Sequence, residues 1–166
     1  MIKTEHHVID NFLDKEYFKE IHDIITGESE LGKHFPWFFQ KQINYLIEKD
    51  EDYSFYLTHQ LYNSVFFNKF KLFVDKLQCK KVIRVKANCY PHTHKIEEHK
   101  KHIDFDFSHK GCILSINTCD GATILEDGTK IKSVANRALF FDPSKYHGST
   151  STTNAKARFN INVNYE

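Results

Sequence analysis

Lys81-Val82-Ile83-Arg84-Val85-Lys86-Ala87-Asn88-Cys89-Tyr90 alternates along its length. On an extended strand, Arg84, Lys86, Asn88 and Tyr90 share one face while Val85, Ala87 and Cys89 share the other. Further strand-like segments follow at His102–Phe107, Gly111–Asn117, Ala122–Leu125, Lys130–Val134, Arg137–Phe141, Tyr146–Ser149 and Ala157–Tyr165. Turn signals at Cys119-Asp120-Gly121, Asp127-Gly128 and Asp142-Pro143 separate them. Short strands at this spacing predict a sandwich or barrel.

Upstream the period changes. Asp14, an N-cap residue type, precedes a run with apolar residues at Tyr17/Phe18, Ile21 and Ile24/Ile25 and Gly27 just after, which predicts an amphipathic helix. A weaker helical pattern spans Ser64 to Leu77, where Val65, Phe66, Phe70, Phe73, Val74 and Leu77 recur among lysines. Phe35–Phe39 and Phe55–Thr58 read as short strands around a polar loop at Glu48–Asp52. No linker, repeat or low-complexity tract interrupts the chain. The expectation is one α+β, mainly β domain over 1–166, with helical support mainly in 14–77 and a β core mainly in 81–166.

The 166 residues carry 23 Lys+Arg against 22 Asp+Glu, so the net charge of +1 supplies no overall field for nucleic acid or anionic lipid. Nucleic acid and membrane partners are not expected. The basic run Lys69, Lys71, Lys76, Lys80, Lys81, Arg84 and Lys86 reads as a solvated face, except that Arg84 and Lys86 lie on the Tyr90 side, where they could orient substrate. The start Met1-Ile2-Lys3-Thr4-Glu5-His6-His7 has no apolar run of the signal-peptide kind, so a soluble, cytoplasmic protein is expected. Cys79, Cys89, Cys112 and Cys119 have no Cys-x-x-Cys spacing and read as reduced thiols.

His102-Ile103-Asp104 sets an imidazole and a carboxylate two residues apart, where a strand would project both from one face. In a chain with 11 His such a pair arises easily by chance. Downstream partners make it informative: His147 opens a later segment, and Arg158 begins the last one. Two imidazoles and one carboxylate suit one face of an octahedral Fe(II), leaving positions for a bidentate 2-oxo acid and O2. Arg84, Arg137 and Arg158 are the only arginines among 23 basic residues, and a guanidinium can pair bidentately with a carboxylate as Lys cannot.

Here the chain resembles the Fe(II)/2-oxoglutarate-dependent oxygenases, and within them the prolyl 4-hydroxylase-type domain of small phage and bacterial proteins. The likeness runs from Val8-Ile9-Asp10-Asn11-Phe12-Leu13-Asp14 to Arg158-Phe159-Asn160-Ile161-Asn162-Val163-Asn164-Tyr165. Between them, Cys89-Tyr90-Pro91 is similar to the family's Tyr-Pro before the metal loop. Ile113-Leu114-Ser115-Ile116-Asn117 with Asp120-Gly121-Ala122-Thr123 is similar to its Asn-to-Gly-x-Thr hairpin, and Asn136-Arg137-Ala138-Leu139-Phe140-Phe141 to the strand before the second His. Ser115 stands where many prolyl hydroxylases have Tyr. Asn164 stands where related base-demethylating oxygenases have a second Arg, which counts against nucleobase repair.

The resemblance implies a double-stranded β-helix, or jelly roll, with supporting N-terminal helices. It implies His102, Asp104 and His147 as iron ligands, Arg158 as the 2-oxoglutarate anchor, and Tyr90 and Asn88 as pocket residues. The activity implied is oxidative decarboxylation of 2-oxoglutarate to succinate and CO2, with O2, coupled to hydroxylation of a C–H bond. A peptidyl, first of all prolyl, side chain is the substrate class implied, and substrate contacts are expected in the loop Pro91–Lys101 and the N-terminal half. The competing reading is a non-catalytic metal-binding jelly roll, including a cupin-like ligand set of His92, His94, Glu98 and His147, although the flanking glycines of a cupin motif are missing.

Overall fold

The computed structural model describes residues 4–41 and 55–166; the loop expected at Glu48–Asp52 lies outside them. In chain order the elements are β1 (His6–Ile9), α1 (Lys15–Thr26), a 3₁₀ turn (Gly32–His34), β2 (Phe38–Gln40), β3 (Tyr56–Gln60) and α2 (Phe67–Lys76). These are followed by β4 (Val82–Pro91), β5 (Lys110–Ser115), β6 (Ala122–Ile124), β7 (Lys130–Lys132), β8 (Arg137–Phe141), β9 (Gly148–Ser149) and β10 (Ala157–Tyr165).

Seven strands form a large antiparallel sheet in the order β1-β8-β5-β10-β4-β3-β2, and three form a small one in the order β7-β6-β9. This is a jelly roll. Alternation along the central strands decides which face does what. Phe159, Ile161 and Val163 of β10, Val85 and Ala87 of β4, and Cys112 and Leu114 of β5 point outward into the main core, under α1 and α2. The helices bury Ile21, Ile24, Ile25, Phe70, Phe73 and Val74 there, each worth about 1.5–3 kcal/mol of transfer free energy. Asp14 caps α1, its Oδ1 accepting from the backbone N–H groups of Glu16 and Tyr17 at 3.0 and 3.3 Å. Gly27 closes the helix in the left-handed conformation, φ 78°.

The other face of the large sheet looks toward the small one. One end of this interior is apolar, where Ile113, Leu139 and Phe141 meet Leu125 and Ile131. The rest is polar: β10 and β4 pair so that Arg158 lies opposite Tyr90, Asn160 opposite Asn88, Asn162 opposite Lys86 and Asn164 opposite Arg84. A strand buried on both faces yet polar on one has to satisfy its side chains internally.

Several boundaries depart from the expectation. The strand expected at His102–Phe107 is absent; His102 makes a single bridge to His147 and the chain then bends. There the Asp104 N–H donates to the Pro143 carbonyl at 2.9 Å, which takes the carboxylate out of a ladder and turns it to the large sheet. The segments expected at Tyr146–Ser149 and Lys130–Val134 shrink to β9 and β7. Phe35–Phe39 keeps only its end in β2, because Phe35 is drawn into the core and Pro36 has no N–H to donate. The basic run divides: Lys69 and Lys71 form exposed pairs with Glu20 and Asp75, whereas Arg84 turns inward. No helix among the described residues is long and apolar enough to cross a membrane. All four cysteines are free, and Cys89, Cys112 and Cys119 are buried.

Candidate metal centre

His102 and His147 come from separate segments but exchange two backbone hydrogen bonds, N–H to carbonyl, of 2.8 and 2.9 Å. That bridge sets their rings side by side, centroids 4.6 Å apart. Asp104 completes the group: its Oδ1 lies 3.7 Å from His102 Nε2 and its Oδ2 3.9 Å from His147 Nε2. One ligand atom from each of the three falls within 4.8 Å of the others. His147 Nδ1–H donates to the Lys145 carbonyl at 3.0 Å, which fixes the tautomer and leaves Nε2 as the lone pair facing Asp104.

Asp104 is held by Arg84, expected on the Tyr90 face, and by two amides that were not singled out from the sequence. Arg84 Nη2 lies 2.6 Å from Oδ1, and the side-chain amides of Asn162 and Asn164 donate to Oδ2 at 3.0 and 2.9 Å. Burial alone would raise this carboxyl; the His102 contact, the charges of Arg84 and His147 and the Asn164 amide overcome it and hold Asp104 well below the usual carboxylate range. Burial pushes His147 down to about 4, partly opposed by Asp104. At neutral pH the cluster therefore offers an ionised carboxylate and a neutral imidazole, the forms a divalent ion needs.

Arg158 is 1% exposed and has no carboxylate partner among the described residues. Its Nη2 donates to Thr123 Oγ1 at 2.8 Å and its Nη1 to the Thr150 carbonyl at 3.4 Å, while Nε is buried without a partner. Burial lowers its pKa, Tyr90 and Cys119 opposing. Gly121 makes room for it, since a Cβ there would meet Arg158 Cδ at 2.7 Å and the Ser151 carbonyl at 2.6 Å. Tyr90 lies beneath the guanidinium, ring centroid 5.4 Å from Cζ, and stacks between Tyr56 and His99. Asn88 donates to Asn160 Oδ1 at 2.9 Å, and its own Oδ1 is buried without a partner.

The residues thus fit both a divalent ion and a carboxylate. The cluster is a 2-His-1-carboxylate set, and a desolvated guanidinium with an orphaned N–H calls for an anion. The cupin-like set is not assembled: Glu98 turns to Lys130, and His92 Nδ1 faces the Ala155 carbonyl. The signal that would have found the supporting residues is Arg158-x-Asn160-x-Asn162-x-Asn164, polar at every second position on a strand with apolar residues between.

No family model and no curated protein matches the chain. Solved structures do. A Trichoplax adhaerens prolyl hydroxylase in complex with a hypoxia inducible factor oxygen degradation domain peptide aligns with TM-score 0.70 and 13% identity, covering 96% of this chain and 82% of that one. The fold is that of the 2-oxoglutarate/Fe(II) oxygenases. A Pseudomonas putida prolyl-4-hydroxylase aligns at 0.65 and 10% identity, covering 98% and 93%. The epimerase SnoN in complex with Fe3+, alpha ketoglutarate and nogalamycin RO aligns at 0.64 and 8%, covering 98% and 78%. One architecture therefore serves different reactions among the neighbours, and substrate has to be argued from side chains.

Proposed function

We propose that this protein is an Fe(II)- and 2-oxoglutarate-dependent dioxygenase that hydroxylates a C–H bond and releases succinate and CO2. The observation that carries the reading is that one interior holds both an ion-sized 2-His-1-carboxylate cluster and a buried guanidinium that, among the described residues, has no carboxylate partner. Ferrous iron, when bound, would supply the activation of O2 and the oxidation of the 2-oxo acid.

The chain's own part is positional. His102, Asp104 and His147 would hold the ion on one side and leave the other side for co-substrate. Arg158 would take the far carboxylate of 2-oxoglutarate in its fork, with Thr123 and Thr150 keeping the fork in plane. Tyr90 covers that end and, with Asn88, excludes water. Asn162, Asn164 and Arg84 fix the Asp104 carboxylate so that it need not reorganise as the ion binds. The prolyl side chain is the first substrate class to assay, because two fold neighbours are prolyl hydroxylases, one of them bound to a peptide.

Anaerobic Fe(II) and 2-oxoglutarate should together give the weak visible charge-transfer band of a chelated 2-oxo acid, and admission of air should release succinate. A band without succinate would favour a binding module; absence of the band would overturn the reading.

A further inference from the structure

The polar interior does not end at the metal cluster. Beyond it, residues of β2, β3 and β4, among them Phe38, Tyr56, Thr58, Gln60, Arg84 and Lys86, line a half-open cavity of about 610 Å³. Arg84 joins cavity and cluster, since it lines the one and pairs with Asp104 in the other. Lys86 is half-buried and faces in. Its Nζ lies 5.5 Å from the Tyr56 ring centroid, and among the described residues no carboxylate is within ion-pair distance of it. Burial, with the charge of Arg84 adding and that of Asp104 opposing, pushes its ammonium down to about 8.

The register places this cation. Lys86 sits opposite Asn162, one of the two amides on Asp104, while Arg158 sits opposite Tyr90, four residues along β4. At the strand rise, about 13 Å of sheet separates the two rungs. The interior therefore has a positive group at each end and the ligand cluster nearer the Lys86 end. Arg158 is the place for the co-substrate's dicarboxylate, and the opposite charge is left for something else. A half-buried ammonium with no carboxylate beside it is costly, and a neutral ligand in the cavity would increase the cost.

We propose that the cavity binds the primary substrate by a carboxylate, paired with Lys86, so that the substrate is a small free carboxylic acid of amino- or imino-acid size rather than a residue inside a peptide chain. This rests on the reading of the metal centre above and replaces the peptidyl substrate class given there with a free acid. A single free positive charge matches a carboxylate; a phosphate dianion would need Arg84 as well, which Asp104 already holds. Gln60 carries an amide that can complete the carboxylate's or an amine's hydrogen bonds, the Thr58 hydroxyl, which donates to the Ala87 carbonyl at 2.9 Å, can accept from an amine, and Tyr56 with Phe38 offers apolar surface for the remainder.

The test measures succinate release by the iron-loaded protein with L-proline, L-leucine and L-glutamine, each against its carboxamide, and with a proline peptide blocked at both ends. At least one free acid should half-saturate at a concentration at least about tenfold below its amide, because a site built around an ion pair rejects the analogue lacking it. Lys86→Met should shrink that ratio to below about threefold, and Lys86→Arg should preserve it. Equal response to acid and amide in the wild type, no response to any acid, preference for the blocked peptide, or a ratio unmoved by Lys86→Met would each overturn the assignment. So would a Lys86→Met effect confined to the 2-oxoglutarate requirement. A wild type that shows the anaerobic band but no acid preference retains the oxygenase reading and loses this one; a wild type without the band loses both.

Discussion

Asp104 holds together more of this molecule than any neighbour does: a guanidinium, two amides and two imidazoles converge on its two oxygens. Asp104→Ala should accordingly abolish succinate release. His94→Ala should leave it within about twofold, because His94 lies on the exposed loop outside the cluster; the reverse pattern, read by the same succinate assay, would select the cupin-like ligand set. Gly121 provides a more indirect check. An added methyl group would push on Arg158 Cδ and the Ser151 carbonyl, so Gly121→Ala should raise the half-saturating 2-oxoglutarate concentration by about tenfold or more while the iron-binding isotherm stays in place. That His102, Asp104 and His147 come together was expected from their order along the chain, His-x-Asp and then His, with Arg158 after them, rather than from any one pair. Asn162 and Asn164 show in the sequence only as polar residues at every second position of the last strand, and Arg84 only as a residue on the Tyr90 face; that all three meet over one carboxylate depends on the register of β4 against β10.

Elements with local stop and start signals or sustained period-two alternation, such as α1, β4, β8 and β10, were readable, and segments whose partners come from a bend elsewhere in the chain were not. Helix α1 has a capping acid, an apolar stripe and a glycine stop, all within a dozen residues, and forms where those signals predict. The His102–Phe107 segment has the composition of a strand, yet its partner is a single residue and its Asp104 is claimed by another sheet. Tertiary demand overrode the pattern. The cap allows a quantitative check: Asp14→Ala removes the acceptor of two helix N–H groups and should cost about 1 kcal/mol. For a chain of this size that is a fall in midpoint of about 2–4 °C by calorimetry. Asp14→Asn should recover most of it, because an amide oxygen accepts the same bonds.

At the scale of the whole molecule the large sheet divides two jobs between its faces. The outer face is packed by α1 and α2 and supplies the apolar core, while the inner face carries the polar ladder that faces the small sheet. Alternation of period two made that division readable in β4 and β10, but the pairing of inner groups across the two sheets, such as Arg158 with Thr123, depends on topology and has no local trace. A consequence for stability follows. The inner face contains a buried guanidinium and orphaned polar atoms on Asn88, His102 and Asn162, so ligands that satisfy them bind the folded chain and not the unfolded one. Each ligand at a hundredfold excess over its dissociation constant should then add about 2.7 kcal/mol, or about 5–10 °C of midpoint. Mn(II), as a redox-inert substitute for iron, should raise the midpoint alone, and 2-oxoglutarate should add a further rise when the ion is present. Asp104→Ala should lose the response to Mn(II), whereas Arg158→Met should keep it and lose the 2-oxoglutarate increment. Thermal melts showing both increments in Asp104→Ala would mean that ion and dicarboxylate stabilise the chain somewhere other than this interior.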